Sequence, residues 1–341
     1  MKRIKIGLFP YTRSLQSPAD RRRLVSWAKK RGHQLLLYET KGVDLIFLSE
    51  GCDFLRYSRV STAPKIFDLI DGYLGLQGDY SDIARGVAKS ILRKHQTYPR
   101  AYSSIVQETC RNVDLVICSS PEQRMTVLPF NPHVEVILDN HSEIPDMPFK
   151  LIDNNRGSVA LWEGTPHTLQ GLENLVVECD SLPNHINIVT DLTYFKYMNR
   201  YLRFNTASRL RQTFGSQQFN LTSWSVPNLV SARELSNFSL IPVDENDSIQ
   251  ALKPENRLLI MFKLGIPTLT SNIPSYARIE RLLNSKFTCK SWEDWETKIS
   301  DLMRNPEIGE HQINLGKRYL AQFHNEDLLF DAWDRAIQGV L

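Results

Sequence analysis

The stretch KPENRLLIMFKLGIP, from Lys253 to Pro267, joins cationic and amide side chains to a helix start without an evident cap. Pro254 suits the first turn of a helix, and Gly265 with Pro267 beyond it ends one. The position before the proline normally holds Ser, Thr, Asp or Asn, which accept from the first backbone N–H groups. Here it is Lys253, whose ammonium only donates. The helix start therefore offers orphan donors, a partial positive charge and a neighbouring lysine, a combination that suits a phosphate. Asn256 and Arg257 add donors in the first turn, and a guanidinium can hold a phosphate through two parallel bonds. Glu255 would repel an anion, unless it turns aside to a sugar hydroxyl. The plainer alternative is a surface helix end capped by water.

A second candidate is LWEGTPHTL, residues 161 to 169. An apolar strand ends at Glu163-Gly164, where glycine would let a ligand approach the backbone. Thr165 is placed to cap a helix that has Pro166 at its first position. His167 is either a phosphate contact or a surface histidine. In the first half of the chain, FDLIDGYLG puts Asp68 and Asp71 at a strand end, and DNHSEIP puts Asp139, His141 and Glu143 at another. Asp71 and His141 are the candidate catalytic bases for a hydroxyl. Turn chemistry would also explain Asp and Asn there. The chain has no GxGxxG after its first strand, no GxxxxGK[ST], no GxSxG, no HExxH and no strict DxD. A dinucleotide fingerprint, a phosphate loop, a hydrolase elbow and a metal-held nucleotide are thus not indicated.

These residues need strand ends to position them, and strand and helix patterns alternate along the whole chain. IKIGLFP, QLLLYE, VDLIFLS, PKIFDLI, VDLVICSS and VEVILDN read as strands of a first sheet. Ser17-Pro18 should start a helix running to about Arg31, and Ser120 with Gln123 forms a capping box. Residues 81 to 112 read as helical with an interruption near Pro99. Residues 145 to 156 read as a linker. SVALWEG, HINIVT, FNLTSWSV, FSLIPV and PTLTS then form a second sheet, with residues 195 to 213, 291 to 304 and 325 to 340 as helices among the rest. Continuous apolar strands separated by helices make parallel sheets covered on both faces. The expected fold is α/β: two Rossmann-like domains, 1–150 and 151–322, facing a central cleft, with 323–341 a C-terminal helix returning to the first. Ligands in such sheets bind beyond the carboxyl ends of the strands.

The chain has 341 residues, 42% hydrophobic and 23% charged, which fits two globular domains. Cys52, Cys110, Cys118, Cys179 and Cys289 are scattered and odd in number. That fits a reducing compartment, the cytoplasm, rather than a disulfide scaffold or a zinc site. The first residues are too short for a signal peptide, and no run of about 18 apolar residues suggests a membrane-spanning helix. A net charge of +3 is too small to imply nucleic acid. Arg21, Arg22, Arg23, Lys29, Lys30 and Arg31 cluster in one segment. They form either a solvated helix face or a peripheral contact with an anionic inner membrane surface.

The run SNFSLIPV…KPENRLLIMFKLGIPTLTSNIPSY resembles the second domain of GT-B-fold glycosyltransferases, especially family 4. Its strand ends at Pro242, its helix follows Pro254, and Gly265-Ile266-Pro267 leads to a strand ending at Thr270-Ser271. KKRGHQLLLYE, VDLVICSS and DLLFDAWDRAI are similar to other parts of that family. The KPENR form is similar to that of surface-polysaccharide transferases. Many members carry two glutamates eight positions apart; the matching positions here are Leu252 and Ile260. The resemblance implies transfer of a sugar from a nucleotide-diphosphate-sugar donor to a glycan or lipid-linked acceptor hydroxyl, in polysaccharide biosynthesis, with no metal or cofactor and with retention of configuration. It implies a nucleotide-sugar site of Glu163, Gly164, Thr165, Lys253, Glu255, Asn256 and Arg257. A nucleotide-sugar epimerase and a non-catalytic binding subunit of a glycosylation complex are the alternatives.

Overall fold

A computed structural model of the chain describes residues 2–76, 80–92, 94–150, 157–179, 182–196 and 202–341. The chain divides into two compact units. One holds the residues up to His141 together with Leu252–Pro254 and His324–Leu341; the other holds Ser142–Ala251 and Glu255–Phe323.

The first unit is built on a six-stranded parallel sheet of β1 (Lys5–Phe9), β2 (Gln34–Leu37), β3 (Leu45–Ser49), β4 (Lys65–Leu69), β5 (Leu115–Cys118) and β6 (Val134–Val136). Their order is β2-β1-β3-β4-β5-β6. All of Leu45–Ser49 and Leu115–Cys118 is buried, as central strands covered on both faces must be. The chain runs from β1 to one edge and then back to β3 on the other side of β1. That reversal makes a switch point between the ends of β1 and β3. The C-terminal helix Glu326–Gln338 belongs to this unit. Its Phe330, Trp333 and Ile337 enter the same core as Ile6, Trp27, Leu45 and Ile117, and Trp27 Nε1 donates to Asp334 Oδ1 at 2.9 Å.

The second unit contains β7 (Val159–Glu163), β8 (His185–Thr190), β9 (Thr193–Lys196), β10 (Leu202–Asn205), β11 (Gln218–Ser223), β12 (Phe238–Ile241), β13 (Thr268–Ser271) and β14 (Thr288–Cys289). Six of them form a parallel sheet in the order β11-β8-β7-β12-β13-β14, and β9 pairs antiparallel with β10. The switch point here lies between β7 and β12. Helix Asn256–Lys263 connects β12 to β13 and buries Leu258 to Phe262. Gly265, at φ +64°, ends it, and a Cβ there would sit 2.2 Å from the Pro148 carbonyl oxygen. Met147 and Lys150 donate backbone N–H bonds to the Lys263 and Gly265 carbonyls at 2.7 and 2.9 Å. The first part of the expected linker is therefore anchored on the second unit; residues 151–156 lie outside the described residues.

Several expectations change. The division falls after His141 rather than at residue 150. The expected helix over 195–213 is Thr206–Phe214 alone, because the residues before it pair as β9 and β10; 197–201 lie outside the described residues. The expected helix from Pro18 to Arg31 is two, Pro18–Arg21 and Leu24–Arg31, and Ser17 makes no side-chain cap bond. The break has a cause. Arg23 is fully buried, donating to Asp68 through Nε and Nη2 at 2.7 and 2.6 Å, and through Nη1 to the Ile137 carbonyl and Asp139. Arg23 and the buried Arg22 are thus not part of an exposed basic face. Lys30 pairs with Glu326, and Arg31 with Asp331 and Asp334, so the C-terminal helix neutralises much of what remains. Ser120 caps as expected, accepting from Gln123 N–H, while Gln123 Oε1 accepts from Ser119 N–H at 2.9 Å, one residue upstream of the usual box.

Candidate functional site

At the switch point of the second sheet, β7 ends on Glu163, a carboxylate that is only 7% exposed. Trp224, just past β11, donates its Nε1–H to Glu163 Oε1 at 2.8 Å. Arg257, in the first turn of the helix after β12, donates Nη2 to the Glu163 carbonyl and brings Nε to 3.7 Å from Glu163 Oε2. Its guanidinium lies 5.0 Å over the ring of Trp162. Arg257 is therefore clamped by one strand end, its charge facing the Glu163 carboxylate and its plane supported by an indole.

The helix itself begins at Asn256, two residues later than Pro254 suggests, with Glu255 as its N-cap and no side-chain cap bond. Glu255 is buried and is gripped by Arg278, whose Nη2 reaches both carboxylate oxygens at 2.9 Å. This ion pair keeps Glu255 charge away from the helix start and answers how an acidic residue sits there. The buried Asn256 Oδ1, Arg257 Nε and Glu163 Oε2 lack hydrogen-bond partners. Thr165 is exposed and makes no side-chain cap bond; instead Thr168 Oγ1 bonds the Thr165 carbonyl at 2.9 Å. Gly164 is required by packing, since a Cβ would meet Thr168 Oγ1 at 2.8 Å and the Trp162 ring at 3.0 Å. His167 packs edge-on to Tyr194, 5.8 Å between centroids.

Lys253 belongs to the first unit. Its ammonium donates to Asp71 Oδ1, close past the end of β4. Tyr73 donates its hydroxyl to Asp71 Oδ2 at 3.2 Å. Glu50, directly after β3, accepts the backbone N–H groups of Ile70 and Asp71 on Oε1 at 2.8 and 2.9 Å. Lys89 donates to the Tyr102 hydroxyl at 2.6 Å and lies 3.9 Å over that ring. Burial pushes the Glu50 carboxyl well above its usual range, and the Asp71 charge adds to this. Burial works the same way on Asp71, but the charge and hydrogen bond of Lys253 outweigh it and hold that carboxyl below its ordinary value. Burial lowers Lys89 to about 8. Past the ends of β3 and β4, a carboxyl held above its ordinary range thus lies next to one held below it.

His141 is buried and packs against His324, with the rings tilted by 45° and 5.4 Å between centroids. Asp68 and Asp139 are the counter-ions of Arg23. Of the predicted residues, the structure brings Asp71 to Lys253, and Glu163 to Arg257. Glu50 was legible as the polar residue ending LIFLSE, by the same strand-end rule that singled out Asp71. Nothing in the sequence pointed to Trp224, Arg278 or Lys89, whose partners are distant along the chain.

No sequence family matches the chain, and no curated protein does. Solved structures match by fold. The S. aureus protein TarM aligns at a TM-score of 0.57 and 9% identity, covering 86% of this chain and 54% of TarM, so the chain spans about half of TarM's length. An alpha-glucosyltransferase (AGT) in complex with UDP aligns at 0.59 and 10% identity, covering 98% of this chain and 100% of AGT. Anabaena HepE, in complex with UDP and glucose, aligns at 0.58 and 9% identity, covering 92% and 88%. With a parallel six-stranded sheet in each of two α/β units, the chain has the GT-B fold found in glycosyltransferase structures.

Proposed function

We propose that the chain is a glycosyltransferase that moves a sugar from a nucleoside-diphosphate-sugar donor to an acceptor hydroxyl of a glycan or lipid-linked glycan, with retention and without a metal. The observation that carries the reading is the start of helix Asn256–Lys263. It has no side-chain cap, and Arg257 Nε in its first turn is buried without a hydrogen-bond partner. A diphosphate supplies acceptors for the helix N–H groups and for Arg257. Two of the similar structures carry UDP, which makes UDP the first donor base to try.

In this mechanism Arg257 and the helix start hold the diphosphate and stabilise the charge that builds on it as the sugar leaves, preorganised electrostatics rather than proton transfer. Glu163 fixes the guanidinium, and Glu163, Gly164 and Thr165 line the donor side. The ion pair to Arg278 makes Glu255 a positioning residue. Lys253 takes the role of holding Asp71 rather than the phosphate. Asp71 is the base on the acceptor side, where an ionised carboxylate can take the hydroxyl proton. His141, buried against His324, supports that side of the first unit. Peripheral contact with an anionic membrane rests on the exposed end of the basic segment at Lys29.

Turnover distinguishes this from epimerisation. UDP-, GDP- and dTDP-sugars are incubated with and without alkyl glycoside acceptors, and products are read by NMR. Nucleotide release that depends on acceptor supports transfer; a new intact nucleotide sugar without acceptor means an epimerase; saturable binding with no turnover means a binding subunit.

A further inference from the structure

β11 is an outer strand of the second sheet and hydrogen-bonds to β8 on one side alone. Sheet edges are usually guarded by brevity, charge or proline, because their unpaired N–H and C=O groups invite another strand. Among the described strands, β14 at the opposite edge has two residues, and in the first sheet the edge strands β6 and β2 have three and four. β11 has six, Gln218–Ser223, with no charged residue and no proline. The ladder sets its open side. Trp224 N–H donates to the Thr190 carbonyl at the end of β8, and successive residues of a parallel strand turn their backbone groups to opposite sides. Phe219 and Leu221 therefore present N–H and C=O outward, away from β8. Along this edge runs a groove of about 730 Å³, lined by these two residues, by Arg211 and His185 among others, and by no Asp or Glu. Phe219 packs edge-on to Phe214 of helix Thr206–Phe214, 5.3 Å between centroids, so Arg211 of that helix lies on the Phe219 face of the sheet. Arg211 is exposed, and no ion pair engages its guanidinium among the described residues. His185 Nε2 is buried without a hydrogen-bond partner.

We propose that this edge is a docking site for an extended acidic peptide segment of a partner protein, which adds to the sheet as a further strand beside β11. Main-chain bonds to Phe219 and Leu221 hold the segment, as in other cases of strand addition to an open edge. The added strand lies about 4.8 Å from β11. Every second side chain then stands on the face that carries Arg211, where a Glu or Asp meets the guanidinium in a charge-assisted bond. Charge selects the partner: with Arg211 in the lining and no carboxylate to offset it, a basic segment is repelled. A glycan could bond the amide side chains, but it lacks the repeat of N–H and C=O groups that the strand edge matches. β8 separates β11 from β7, so the site is distinct from Glu163 and Arg257 and stands without the transferase reading.

The probe is a fluorescein-labelled peptide of sequence Thr-Val-Glu-Val-Glu-Val-Thr, followed by anisotropy as the wild-type chain or Arg211→Ala is added, each protein checked for folding by thermal melting. Three further ligands are titrated in the same way: the peptide with Gln for both Glu, the peptide N-methylated at every residue, and labelled tetragalacturonate as an acidic glycan. UDP is added as a competitor. The expected result is saturable binding of the acidic peptide, weakened about three- to tenfold by Arg211→Ala and by the Gln peptide, abolished by N-methylation and unchanged by UDP, with no binding of tetragalacturonate. Failure of the acidic peptide to bind the folded wild type overturns the site. So does equal affinity for the Glu and Gln peptides, undiminished binding of the N-methylated one, or displacement by UDP, which would put the peptide in the donor site. Binding of tetragalacturonate in the peptide's place would make the groove a glycan site and overturn the proposal as well.

Discussion

At the residue scale the two switch points solve opposite electrostatic problems. In the second unit the Glu163 carboxylate and the Arg257 guanidinium face each other at 3.7 Å. In the first, Lys253 outweighs burial and holds the Asp71 carboxyl below its ordinary value, while burial holds the Glu50 carboxyl above its own. Replacing Lys253 with Met removes the largest force lowering the Asp71 carboxyl, so its titration midpoint should rise; carboxyl-carbon NMR checks this, and an unmoved midpoint contradicts the assignment. Glu50 gives a second expectation. Its folded value lies above the unfolded 4.5, so its contribution to stability is complete below that pH and lost as pH rises through the folded value. Glu50→Gln cannot ionise, and its melting temperature should therefore gain on the wild type as pH increases from about 4.5; parallel melting curves would refute this. The sequence showed Asp71, Glu163 and Arg257 because strand ends and a helix start can be read locally. It could not show what engages Lys253 or Glu255, since Asp71 and Arg278 reach them only through the fold.

Elements were legible where one period ran uninterrupted. β3, β5, β12 and β13 are continuous apolar runs, and the helix before β13 is bounded by Pro254 and Gly265. The readings that failed did so where tertiary structure overrode local signals. β9 and β10 displaced part of a helical pattern, and Arg23 broke the helix that Ser17-Pro18 seemed to start. The Arg23 side chain is turned into the core by Asp68 and Asp139, a demand that periodicity alone does not reveal. Removing it leaves two buried carboxylates uncompensated, so Arg23→Met should cost about 3–5 kcal/mol. Denaturant unfolding measures this, and a loss within about 1 kcal/mol, the worth of a surface ion pair, would contradict the burial of the network.

For the whole molecule, the fold is two parallel sheets whose candidate site residues sit past strand ends, as alternation of strand and helix implies. The first unit is completed only by the end of the chain. Phe330 and Ile337 each contribute about 1.5–3 kcal/mol by burial, and Trp333 adds its larger surface. A chain ending at Phe323 should therefore lose the cooperative unfolding of the first unit, seen by calorimetric melting; an unchanged two-unit melting profile would show that the helix is dispensable. The central claim is that a nucleoside diphosphate completes the helix start at Asn256. Isothermal titration of UDP into the wild type and Arg257→Ala tests it most directly. Saturable one-site binding, weakened at least about tenfold by the loss of a charge-assisted contact, is the predicted result. No binding by the folded wild type, or equal affinity in the variant, would contradict it.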